Sequence, residues 1–148
     1  MAKNKYCYEY PRPAVAVDIA LVTGGRAPRI LLIRRKHEPF AGKWALPGGF
    51  VNMDESLEDA ARRELLEETG VRPARIEQLH TFGDPGRDPR GRIISVVYLA
   101  RVDAATVTPQ AADDAAEAGW HSLRRPPALA FDHDKILALI RRRLKGAA

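Results

Sequence analysis

Apolar and polar positions along this chain change period several times, and each change predicts an element. Ala14 to Thr23 (AVAVDIALVT) is β-branched and partly alternating, so it reads as a strand. Gly24-Gly25 predicts a turn, and Arg29 to Lys36 (RILLIRRK) a second strand with an apolar centre, the two forming a hairpin with a longer loop. His37 to Trp44 reads as loop, and ALPGGFV as a short strand. Between Ser56 and Gly70 the period switches to that of a helix, with Leu57, Ala60, Ala61 and Leu65 on its core side. Ser56 is a good N-cap, with Asp59 as a capping-box-like partner, and Gly70 stands where a left-handed C-terminal residue is wanted. ARIEQLHTFGD predicts a strand, Asp84 to Arg92 a loop, and Ile93 to Val102 the clearest strand of all. A polar loop then leads to a short strand around Trp120. Prolines at 126 and 127 block an early helix. Asp132 or Asp134 caps a last helix over 133–144, with Ile136, Leu137, Leu139 and Ile140 as its buried stripe.

Strands flanking one internal and one terminal helix, in an order that is not strictly βαβ, predict an α+β or α/β sandwich. The length of 148 residues suits one domain over 1–148, with an aromatic, proline-punctuated extended arm at 1–13. There is no apolar run of membrane-spanning length and no secretory signal at the start. The single cysteine, Cys7, has no internal partner, and the expected setting is a reducing cytoplasm. A net charge of +5 suits anionic ligands, although much of it comes from Arg141, Arg142, Arg143 and Lys145, where it complements the dipole of the last helix.

Charge inside the internal helix changes the picture more. Glu64, Glu67 and Glu68 stand at i, i+3 and i+4, so like charges share a face and repel. Helix formation does not call for such a cluster. A hard divalent cation such as Mg2+ would remove the conflict. Two basic stretches lie elsewhere. In GRDPRGR, the guanidinium groups of Arg87, Arg90 and Arg92 suit phosphate oxygens, with Asp88 holding one of them, or else the loop is a basic hairpin. His133 reads as a helix N-terminal residue, Trp44 and Trp120 as core or sheet-face residues, and Phe40, Tyr8 and Tyr10 as packing or as a platform for an adenine.

Read from Gly49, the stretch GGFVNMDESLEDAARRELLEETGV spells Gly49-x5-Glu55-x7-Arg63-Glu64-Leu65-x-Glu67-Glu68-x-Gly70-Val71. It resembles the signature of the Nudix hydrolases over 49–71 and matches every defined position. The resemblance implies a mixed β-sheet packed between helices, an α/β/α sandwich, and hydrolysis of nucleoside diphosphate derivatives with Mg2+ or Mn2+. It implies Glu64, Glu67, Glu68 and the Gly48 carbonyl as metal ligands, and Arg63 as the residue that orients a signature glutamate. Glu55 is left as a ligand, a supporting group or part of the helix cap. For the base that activates water, relatives use either a signature glutamate or a distant loop acid, here Asp113, Asp114 or Glu117. YEYPRPAVAVDI, EPFAGKWALPGGFV, DPGRDPRGR and AFDHDKIL together look like the ADP-ribose pyrophosphatase branch, commonly homodimeric. Some relatives carry a winged-helix domain and sense ADP-ribose as repressors. This chain ends after its last helix with its glutamates intact, so the expectation is an enzyme, with no nucleic-acid and no membrane partner.

Overall fold

The computed structural model describes residues 6–73, 75–112 and 115–146. Its elements are β1 (Ala14–Val22), β2 (Arg29–Arg35), β3 (Trp44–Ala45), β4 (Gly48–Phe50), α1 (Leu57–Thr69), β5 (Glu77–Phe82), β6 (Ile93–Arg101), a 3-10 turn (Ala104–Thr106), β7 (Ala115–Ser122) and α2 (His133–Lys145). One mixed sheet runs β3-β2-β1-β6-β5, with β4 also paired to β1 and β7 also paired to β2. β1 and β6 lie parallel along their whole length, while the β1–β2 hairpin holds only the Val22–Ile30 register before the strands part. That splaying lets β1 take β4 as a neighbour and β2 take β7.

Side-chain alternation turns this sheet into a two-faced wall. Val17, Ile19, Leu21, Leu31, Val96 and Tyr98 pack with Ala60, Ala61 and Leu65 of α1. Ala20, Val22, Ile30, Leu32, Val97 and Leu99 pack with Ile136, Leu137 and Ile140 of α2. The fold is therefore the expected mixed sheet between helices. Two elements differ from the reading above. β7 is eight residues long and starts within the alanine-rich stretch, because pairing with β2 supplies what that composition lacks in strand preference. Leu139 is only half-buried, so the α2 stripe narrows to Ile136, Leu137 and Ile140.

Candidate active site

Helix α1 begins and ends as its sequence dictates. The Asp59 amide donates to Ser56 Oγ at 3.1 Å, and Gly70 is left-handed with φ 72°. These caps set the rotation that brings Glu64 and Glu68 beneath β4. Close approach there depends on two glycines. A Cβ at Gly48 would run into the Val17 carbonyl and the Asp18 side chain, and one at Gly49 into the Glu64 carboxylate. The Gly48 amide donates to Glu68 Oε2 at 3.2 Å. Burial pushes Glu68 up to about 8, and the Glu64 and Asp18 charges add to the shift. Burial also raises Glu64, against the pull of Arg63.

Arg63 acts as the hub of this face. Its Nε and Nη2 fork onto Glu55 at 2.9 and 2.6 Å, Nη1 reaches Glu64 at 2.7 Å and Glu67 at 3.1 Å, and Nη2 also meets the Phe50 carbonyl at 3.1 Å. Glu55 accepts the Asn52 amide as well, and Arg63 pulls its carboxyl down to about 2. Among the described residues no three acidic, histidine or cysteine side chains converge on one point as they stand. Arg63 holds one oxygen each of Glu64 and Glu67. Glu64 and Glu68 line one cavity of about 360 Å³, whereas Glu67 is more exposed.

Opposite α1, the Asp84–Arg92 loop contributes its three arginines in three different ways. Arg87 is buried and forks onto Asp132 at 2.9 and 2.7 Å, with Nη1 also 3.5 Å from the Ile93 carbonyl. Arg92 donates to the Gly83 carbonyl at 2.6 Å and lies off the cavity wall. Arg90 alone lines the cavity of Glu64 and Glu68, held by the buried Asp88 at 3.0 and 2.7 Å. Asp88 is pulled down by those Arg90 hydrogen bonds, though burial opposes them and is the largest single influence. The loop acids do not join this group. Glu117 is exposed on β7, 3.7 Å from Arg34, and Asp113 and Asp114 lie outside the described residues.

The sequence did not single out Arg35, Asp18 or Ser95, which also lie in these walls. Arg35, at the end of β2, lines the cavity with its Nε on the Pro39 carbonyl at 2.8 Å. Burial and the Arg90 charge push Arg35 down, while Glu68, Asp88 and Asp18 pull it back up. A smaller inner cavity of about 70 Å³ continues toward α2 and is lined by Asp18, Ser95 and His133. Ser95 donates its hydroxyl to Asp18. His133 is fully buried, accepts the Leu46 amide on Nδ1 at 3.0 Å, and places Nε2 3.6 Å from Asp18. Burial pushes its pKa down, so it is neutral at pH 7 with the proton on Nε2. Asp132 occupies the N-cap position of α2 but makes no capping bond, because both its oxygens are on Arg87. None of these pairings has a local spacing signal.

Carboxylates of α1 and guanidinium groups of β2 and the Asp84–Arg92 loop thus share one cavity. The profile of the NUDIX domain matches residues 12–140, and the chain belongs to the Nudix hydrolase family. It is 46% identical to the ADP-ribose pyrophosphatase of Methanocaldococcus jannaschii over 86% of this chain and 73% of that protein. It is 37% identical to the ADPR responsive transcriptional repressor NtrR of Acinetobacter baylyi over 87% of this chain, and spans only about half of that relative, 53% of its length. The NUDIX domain of Shewanella oneidensis NrtR, solved with ADP ribose, superposes with a TM-score of 0.83 at 36% identity, over 95% of this chain and 94% of that one.

Proposed function

We propose that this protein hydrolyses the diphosphate of ADP-ribose to AMP and ribose 5-phosphate, with Mg2+, or Mn2+ in its place, at the α1 face. One observation carries the reading: Glu64 and Glu68 share a cavity with Arg90. A diphosphate between two sugars needs cations at its centre and room on both sides. The relatives named for ADP-ribose support the choice among nucleoside diphosphates.

Glu64, Glu67, Glu68 and the Gly48 carbonyl would hold the ion. Their oxygens are hard donors, and carboxylates raised by burial and by one another gain from sharing positive charge. When bound, the ion polarises phosphoryl oxygens and acidifies a water. Arg63 keeps the glutamates in register, and Arg90 binds and orients the phosphates through Nη1, its Nε and Nη2 being taken by Asp88. The assignment of water activation goes to the signature glutamates rather than to Glu117, which sits on β7 beside Arg34. The same reading carries a cytoplasmic homodimer, and sedimentation velocity tests the dimer.

Product analysis on a panel of nucleoside diphosphate compounds tests the substrate. ADP-ribose is expected to lead in kcat/KM over dinucleoside polyphosphates and 8-oxo-dGTP, with EDTA abolishing turnover. A triphosphate that wins clearly overturns the ADP-ribose assignment. Arg90→Ala is expected to lower kcat/KM at least about tenfold, against little change for Arg142→Ala at the end of α2. The likeness to NtrR favours one other reading, in which the domain binds ADP-ribose as a signal. Tight binding of ADP-ribose with no product in the presence of Mg2+ would select it.

A further inference from the structure

Among the described residues, only two non-glycine residues have positive φ, Phe40 at 63° and Phe131 at 52°. Bulky side chains seldom adopt this region, and a backbone held there points to a function that the surroundings impose. These two rings touch each other edge to face, with centroids 4.9 Å apart. The segment before α2 is pinned to β3, the Ala130 amide donating to the Trp44 carbonyl at 2.8 Å and the Trp44 amide to that of Ala128 at 3.1 Å. Phe131 is thereby held in the wall of the smaller inner cavity, in a conformation its own chain would not choose.

Two cations meet at that ring. The Arg35 guanidinium lies 4.9 Å from the Phe131 centroid and the Arg90 guanidinium 5.0 Å from it. Arg90 also lies 5.0 Å from the half-exposed Phe50 ring. Like charges gathered on one ring repel, and cation–π contact offsets only part of this. Each guanidinium is held by one edge, Arg90 by Asp88 and Arg35 by the Pro39 carbonyl. Nη1 of Arg90 and both Nη atoms of Arg35 make no hydrogen bond among the described residues, and both side chains line the cavity of Glu64 and Glu68.

We propose that Arg35 and Arg90, spaced by Phe131, form a clamp for the two adjacent phosphates of a nucleoside diphosphate. Phe131 is the positioning residue, and Phe40 holds it. This rests on the hydrolase reading above and deepens it, because two anchored guanidinium groups select two linked phosphates over one. The left-handed backbone at Phe131 presents one ring to both arginines, and that shared contact ties their positions together. A lysine at position 35 retains the charge but lacks the planar fork.

The test compares Arg35→Ala, Arg35→Lys, Phe131→Leu and the double variant Arg35→Ala/Phe131→Leu, each checked for folding by thermal melting. The probes are kcat/KM for whichever diphosphate the wild type hydrolyses best, and competitive inhibition by ADP and by AMP. Arg35→Ala is expected to lower kcat/KM and weaken ADP inhibition by about tenfold or more, with AMP inhibition changed less than about threefold. Arg35→Lys should fall between wild type and alanine. Phe131→Leu should lose about threefold to tenfold, and the double variant no more than Arg35→Ala alone, because the ring acts through the arginine. An Arg35→Ala enzyme within twofold of wild type, equal losses of ADP and AMP inhibition, or additive losses in the double variant would overturn the clamp. A wild type that ignores ADP-ribose but hydrolyses another diphosphate corrects the substrate and leaves the clamp to be judged on that compound. If the wild type hydrolyses none, direct calorimetric binding of ADP and AMP to the same variants decides it.

Discussion

Helices α1 and α2 are each 13 residues long and cover opposite faces of one sheet, yet they depart from a stable helix in different places. α1 is well capped at both ends, but it buries Glu68 and carries Glu67 and Glu68 in its last turn, where the dipole disfavours negative charge. α2 has the reverse pattern. Its buried stripe is wholly aliphatic beyond His133 and its last turn holds Arg142, Arg143 and Lys145, but its N-cap side chain is diverted to Arg87. Both departures lead to the cavities: Glu68 lines them directly, and Asp132 reaches the inner one through Arg87. α1 gives up electrostatic comfort to present carboxylates, and α2 gives up a cap to hold the arginine loop. The misfit of a residue with its own helix therefore locates the site better than its charge does. The basic end of α2 is strongly charged and fits its helix well.

The start of α2 is where a single substitution should cost the most stability. Asp132→Ala should cost about 3 kcal/mol or more in unfolding free energy, because it strands the buried Arg87 without its partner. Urea unfolding checks this, and a loss of about 1 kcal/mol or less would mean that the pair contributes no more than an exposed ion pair. Glu68→Gln should lower turnover roughly a hundredfold or more while the fold persists, since an amide keeps the shape and accepts the Gly48 amide but lacks the charge. Near-normal turnover at saturating Mg2+ removes α1 from the chemistry. Ser56→Ala, the matching change at the start of α1, should cost only about 1 kcal/mol with turnover unchanged.

The smallest expected effect is on pH. His133 has a folded pKa below its ordinary 6.5, so its contribution to stability is complete above that value and is lost as pH falls through the folded pKa. Melting temperature should therefore drop below about pH 6.5 more steeply in the wild type than in His133→Gln. Parallel curves would show that the buried imidazole is not the group responsible.

Helix α1 was legible because its caps, its period and its glutamates are all local in sequence. β1 and β6 were legible because buried strands between two helices are rich in β-branched residues. Of β7 only the part around Trp120 was legible, since the strand character of its start comes from β2 across the sheet rather than from its own alanines. Within the site, Glu64, Glu68 and Arg90 were legible, whereas nothing in the sequence sets Arg35 apart from the other residues of its strand. Arg87, whose guanidinium the sequence offered to phosphate oxygens, lines the inner cavity while paired with Asp132, 45 residues away in sequence, a partner that no local pattern announces. Phe131 gave no signal, because a backbone angle imposed by neighbouring segments leaves no trace in composition.

The two glycines under α1 also bear on how such a protein can diverge. With Gly48 and Gly49 pressed against Asp18 and Glu64, the seam between β4 and α1 tolerates neither a methyl group nor a shift of the helix. Variation that keeps the chain active is therefore channelled away from this seam to the Asp84–Arg92 loop and the segment before α2, which are joined by the Arg87–Asp132 pair. New substrate preferences would arise there by paired replacement, since changing one partner alone strands the other. A combinatorial library that holds 48 and 49 constant and varies 87 with 132, and 35 with 131, would sample the accessible chemistry most densely.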